Sequence, residues 1–177
     1  MPATSWTIDT THSAVSFKVR HMMISKVRGT FGTWQASLAY DPSSPTTARI
    51  SASLDTTSIQ TGVADRDAHL RSADFFNVEE FPKMTFESQS IEPKGDDLLV
   101  HGDLTIRGAT RPVTLKVERT GEGKDPWGNH RAAFAAHTRL SRKDFGLTYN
   151  AALEAGGVLV GDEVEIEIEI EAIRAPA

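Results

Sequence analysis

Residues 160–172 read VGDEVEIEIEIEA, and their alternation decides the fold. Val164, Ile166, Ile168 and Ile170 interleave with Glu163, Glu165, Glu167, Glu169 and Glu171. In an extended chain successive side chains point to opposite faces, so a strand sorts these residues into one apolar and one charged face. A helix would scatter the glutamates round its whole circumference. The strand therefore prevails over the helix propensity of glutamate. Five carboxylates on a solvated face also discourage edge-to-edge association.

Working outward, the same period of two recurs in Val15, Phe17 and Val19, in Ile50, Ala52 and Leu54, and in Met84 and Phe86. It returns in Val100, Leu104 and Ile106, in Val113, Leu115 and Val117, and in Ala132, Phe134, Ala136 and Leu140. These make seven strands with residues 160–172. An eighth is expected between Val27 and Tyr40, where Phe31 and Trp34 have opposite parity and Gly29 and Gly32 mark a bulge or a barrel corner. Turn formers punctuate the series at Asp41–Pro45, Lys94–Asp97, Arg107–Thr110 and Gly121–Gly128. One short helix is expected over Val63–Ala73, with Asp67 and Arg71 spaced to pair. The adjacent Phe75 and Phe76 cannot both point inward from a regular strand, so at least one should close an end of the barrel.

Eight half-buried antiparallel strands must bury their apolar face by stacking two sheets or by closing one sheet on itself. The expected fold is all-β, an eight-stranded antiparallel β-barrel of lipocalin type with one short helix in a loop. Small inward residues, Ala52, Ser88, Gly102, Ala132, Ala136 and Thr138, predict a lumen left partly empty for a long apolar ligand. A solid core of interdigitating large and small residues is the open alternative.

At 177 residues the chain suits one domain, 1–177. Its 19 basic and 24 acidic residues are mixed, for a net charge of -5, so no polybasic stretch invites nucleic acid. The absence of cysteine excludes disulfides, thiolate metal sites and a cysteine nucleophile. No apolar run reaches the roughly 20 residues of a spanning helix. The start, Met-Pro-Ala-Thr-Ser-Trp-Thr-Ile-Asp, lacks the basic and apolar segments of a secretory leader. That predicts a cytoplasmic protein, or a periplasmic one if a leader has been trimmed.

Sequence signals for chemistry are sparse. The histidines, His12, His21, His69, His101, His130 and His137, show no metal-ligand spacing, and no metal is expected. There is no Gly-x-Ser-x-Gly elbow and no phosphate loop, so neither a hydrolase nor a nucleotide cofactor is indicated. Asp65, Arg66, Asp67, His69 and Arg71 cluster on the predicted helix beside Phe75 and Phe76. They could meet the head group of an amphiphile, or they could pair among themselves on a solvated helix. Arg142 and Lys143 form a second cationic pair whose default is a surface role.

The chain resembles the YceI-like family of lipid-binding barrels along almost its whole length. The matching pieces are WTIDTTHSAVSFKVRH, VRGTFG, RDAHLRSADFFNVEEFPKMTFES, GDLTIRGATRPVTL, SRKDFGL and VGDEVEIEIEIEA, in that order. The resemblance implies an extended lipocalin-like barrel that holds a polyisoprenoid, an isoprenoid quinone or a fatty-acid-like lipid as carrier or store, often as a homodimer. It implies no cofactor and no enzyme activity. It places Phe17, Val19, Phe31, Phe86, Leu104, Ile106, Phe134 and Ile168 on the tunnel wall. His21, His69, Arg71, Phe75, Phe76 and Arg142 become candidates for the mouth. Many relatives look periplasmic, and this sequence departs from them in lacking a leader. Two alternatives stay open: an enzyme acting on a bound lipid with His21 or His69 as base, and a stress-related interaction module with a filled core.

Overall fold

Alternating sequence becomes alternating burial along the strands. In the β8 strand, Asp97–Ile106, every second residue from Leu98 to Ile106 is buried. The computed structural model describes residues 4–153 and 156–174. The preceding strands are β1 (Thr4–Ile8), β2 (Ala14–His21), β3 (Ser25–Phe31), β4 (Trp34–Tyr40), β5 (Arg49–Asp55), β6 (Ile59–Gln60) and β7 (Lys83–Lys94). After β8 come β9 (Ala109–Lys124), β10 (His130–Ser141) and β11 (Val160–Arg174).

All of them join one antiparallel sheet in the order β1-β4-β5-β7-β8-β9-β10-β11-β2-β3-β6. The pairs β1/β2, β3/β4 and β5/β6 are each one strand broken by a corner, so the sheet counts eight strands. Thr7 pairs with Ile173 and Ile8 with Ala172, and this short ladder between β1 and β11 closes the barrel. Two of the corners are single 3-10 turns, Thr10–His12 and Thr56–Ser58. The third passes through Gly32, as expected, and lets Phe31 and Trp34 both face inward despite their opposite parity. Gly29 has a different reason: the ring of Phe17 lies across it, 2.3 Å from where a Cβ would stand.

Sequence alternation missed β1 and β6, the shortest strands of the sheet. The helix is α1, Ala64–Arg71, shorter than expected at both ends. Its expected Asp67–Arg71 pair does not form. Asp67 is buried, and its Oδ1 accepts hydrogen bonds from the backbone and hydroxyl of Thr61. Arg71 donates instead to the carbonyls of Thr57 and Ile59, each at 2.9 Å. Backbone groups freed at the β5/β6 corner need partners, and the helix side chains supply them.

The six small inward positions divide. Ala52, Ala136 and Thr138 border open space inside the barrel. The other three are corrections to the expected tunnel lining. A Cβ on Gly102 would lie 2.5 Å from the Phe86 ring, which already occupies that space. Ala132 is packed with Trp6, Tyr40 and Ala172 in a cluster at one end of the barrel. The hydroxyl of Ser88 accepts the Ile50 N–H at 2.9 Å, beside a register shift in β7.

Candidate functional site

Two cavities lie end to end inside the barrel. The inner one, of about 190 Å³, is walled by Phe86, Leu104, Phe134 and Ile168 together with Trp34, Val100 and Leu115. Its far end is stopped by Tyr40, whose carbonyl accepts the Trp6 Nε1–H at 2.9 Å. The outer one, of about 210 Å³, is walled by Phe17, Val19, Phe31 and Ile106. Val15, Met84 and Ile166 line both, so the two chambers meet at these side chains within the barrel lumen. All eight expected wall residues border it. Along β11 the lining runs from Val160 to Ile170, which at the usual rise and tilt of barrel strands is roughly 25 Å along the axis.

The outer chamber ends among His21, His69, Phe75, Phe76 and Arg142. Arg71 is the exception among the expected mouth residues, because its guanidinium is turned to the β5/β6 corner. Phe75 is buried, and Phe76 packs edge-on against Phe31 with ring centroids 5.9 Å apart. They follow α1 in a turn, where adjacent side chains can both reach the lumen. His69 clusters with Phe75 and Tyr149, its ring edge-on to both at 5.1 Å and 4.8 Å, with Nε2 2.8 Å from Asp74 Oδ2.

Arg142 overturns the surface role expected of it. It is buried and donates to the carbonyls of Gly161 (2.8 Å), Leu147 (2.6 Å), Tyr149 (2.8 Å) and Val160 (3.3 Å). Burial pulls its pKa below the usual value, against the opposing attraction of Asp162. The side chain ties the chain after β10 to the start of β11. Arg66, one of the helix cluster offered to a head group, also lines the outer chamber, and sequence reasoning missed Phe145, Leu147, Tyr149 and Val160, which line it too. The apolar alternation of Phe145, Leu147 and Tyr149 was a signal for three of them.

No acidic or basic side chain lines the inner chamber among the described residues. That chamber can hold an apolar chain and can exclude water. At the mouth, Arg66 is pinned by its own bonds to Thr61, at 2.7 Å from Nε to the hydroxyl and 2.9 Å from Nη2 to the carbonyl. Asp9, His12 and Glu171 have the donor atoms for a metal cluster at the opposite end. Arg131 already supplies the positive charge there, donating to Asp9 at 3.1 Å, Asp125 at 2.8 Å and Glu171 at 2.6 Å. Among the described residues no helix is long and apolar enough to cross a membrane.

A model of the YceI-like domain matches residues 6–172. The protein belongs to the YceI-like family. Protein YceI of Salmonella newport is 37% identical to it over 92% of this chain and 82% of its own length. Among solved structures, Burkholderia cenocepacia BcnA superposes with a TM-score of 0.82 at 24% identity, covering 93% of this chain and 98% of its own. A domain from Saccharophagus degradans, described as polyisoprenoid-binding and implicated in plant cell wall breakdown, has a TM-score of 0.67 at 15% identity and covers 98% of this chain and 99% of its own. The YceI-like fold is thus the eight-stranded barrel derived from the alternation.

Proposed function

We propose that this YceI-like protein holds one long apolar or amphiphilic molecule in its barrel, as a carrier or store. The observation that carries the proposal is the pair of in-line chambers that meet at Val15, Met84 and Ile166, the inner one lined by no charged side chain among the described residues. Each buried methylene gains about 0.8 kcal/mol, so a tail of roughly 15 carbons gains on the order of 12 kcal/mol before several kcal/mol are lost to immobilisation. Apolar burial alone suffices for tight binding. A head group would rest at the partly exposed rim near His69 and Tyr149, where an aromatic face and an imidazole are presented together.

A polyisoprenoid is the first ligand to test, because a structural neighbour is described as binding one. An isoprenoid quinone and a fatty-acid-like lipid suit the same lumen. The proposed function is binding, with no chemical step. Organic extraction of freshly purified protein followed by mass spectrometry tests it. We expect one lipid class in near-equimolar amount; repeated recovery of no lipid would overturn the proposal.

A further inference from the structure

The mouth of the tunnel is bordered by an apolar surface that the barrel does not use. The turn between β2 and β3 consists of Met22, Met23 and Ile24, which are 42%, 49% and 83% exposed. Met22 and Met23 adopt left-handed backbone, with φ of 52° and 63°. Asn or Gly would take that conformation with less strain, so the sequence keeps large apolar side chains in water at a position suited to polar turn formers.

Apolar side chains of a second loop stand beside this turn. Ala152 bridges to Val158, and Ala151, Ala152 and Val158 are exposed. The two loops are joined by the Met22 N–H donating to the Leu159 carbonyl at 2.8 Å, and the Met23 side chain lies against Gly157. His21, Leu159 and Val160, at the base of both loops, line the outer chamber. The exposed apolar rim is therefore continuous with the apolar lumen.

Charge identifies the partner. Arg20 and Arg28 are exposed on the strands leading to the turn, and no carboxylate among the described residues forms an ion pair with either. Nearby acids have their own cations: Glu165 pairs with Lys26, Glu163 faces Arg139, and Asp162 faces Lys143. The chain as a whole carries -5, so Arg20, next to the turn, is a local feature of this end, while Arg28 farther along β3 also faces Glu167. Exposed apolar side chains backed by cations match an interface of acyl chains under anionic head groups.

We propose that the Met22–Ile24 turn, with Ala151, Ala152 and Val158 beside it, seats the tunnel mouth on an anionic lipid surface, from which the ligand enters without crossing water. This rests on the proposed lipid cargo, and the two are separable by experiment. Flotation with vesicles of phosphatidylcholine, alone or mixed with phosphatidylglycerol, measures docking. Loading with parinaric acid in vesicle-free solution measures the tunnel.

We expect the protein to float with the mixed vesicles and to be released by high salt. The combined Met22→Asn, Met23→Gly and Ile24→Ser variant suits the left-handed turn and should fold and load normally. It should lose vesicle partition by about tenfold or more. Arg20→Gln should weaken it about fivefold. Trp127→Phe serves as the control, since Trp127 is 78% exposed but sits on the β9–β10 turn at the opposite end of the barrel. Equal partition of the turn variant, absence of partition by the native protein, or indifference to phosphatidylglycerol overturns the inference and leaves the cargo standing. Failure of the native protein to load removes the cargo and this inference with it. A dimer in sedimentation that the turn variant dissociates would assign the face to a second copy and overturn lipid docking.

Discussion

Arg142 and Lys143 are neighbours of like charge, yet the structure uses them in opposite ways. Arg142 is buried among backbone carbonyls, while Lys143 reaches from the surface to Asp162 at 3.3 Å. Replacing Arg142 with Met strands several buried carbonyl groups, at about 1–3 kcal/mol for each one left without a partner. We expect Arg142→Met to cost roughly 3–5 kcal/mol in urea unfolding, and Lys143→Met to stay within about 0.5 kcal/mol. Comparable losses for the two would contradict the clamp. Gly102 makes a matching prediction for close packing. A methyl group there meets the Phe86 ring and the Glu87 carbonyl, both at 2.5 Å, so Gly102→Ala should destabilise by about 1–3 kcal/mol in the same measurement. Neither role was legible in the sequence. An arginine and a lysine side by side read alike until the fold shows which side chain has carbonyls around it, and a small inward residue reads as empty space until the neighbour that covers it is known.

Elements were more legible than residues. Every strand that shows a run of period two was found, because sidedness is a local property of the sequence. The barrel seam was not, since β1 is five residues long and its purpose lies in pairing with the far end of the chain. Beyond the β2–β11 ladder, only two register pairs among the described residues, Thr7 with Ile173 and Ile8 with Ala172, hold β1 to β11, and the charges around Arg131 reinforce them. Burial raises the Asp125 pKa, but hydrogen bonds from Arg131 and Asn129 prevail and bring it to about 2. Hydrogen bonds from Thr11 and His12, joined by Arg131, hold Asp9 far below the usual carboxylate range. The hydrogen bond and charge of Asp9 raise His12 above 6.5. A depressed carboxylate contributes stability that is present above its unfolded pKa, 3.8, and is lost as pH falls through the folded value. A raised histidine contributes below 6.5 and loses its contribution as pH rises past the folded value. The urea midpoint should therefore drop between about pH 4 and pH 2 and decline more gently on the alkaline side of His12. Arg131→Met should flatten the acid limb, because Asp9 and Asp125 then titrate closer to their unfolded values. An unchanged acid limb would show that the seam does not depend on this cluster.

At the scale of the whole molecule, function depends on whether the two chambers act as one. The outer chamber alone would hold a short chain; both together accommodate a long one. Ala136 separates these cases, because it borders only the inner chamber and sits between Val117 and Ile168 with its side chain toward the lumen. Ala136→Phe places a ring in the inner chamber and leaves the outer lining unchanged. If a tail of roughly 15 carbons reaches the inner chamber, about six methylenes lose their place, at about 0.8 kcal/mol each. Relaxation of the tail recovers part of this, so we expect affinity for a hexadecyl-chain fatty acid to fall about 100-fold or more. Affinity for an octyl-chain acid, which the outer chamber can hold, should change less than about threefold. Calorimetric titration of the two acids measures both, and a thermal melt monitors the cost of overpacking, about 1–3 kcal/mol. Equal loss for both acids would mean that the ring disturbs the barrel as a whole. No loss for either would mean that the tail never passes Val15, Met84 and Ile166, and the lumen would then serve as a shallow pocket at the mouth.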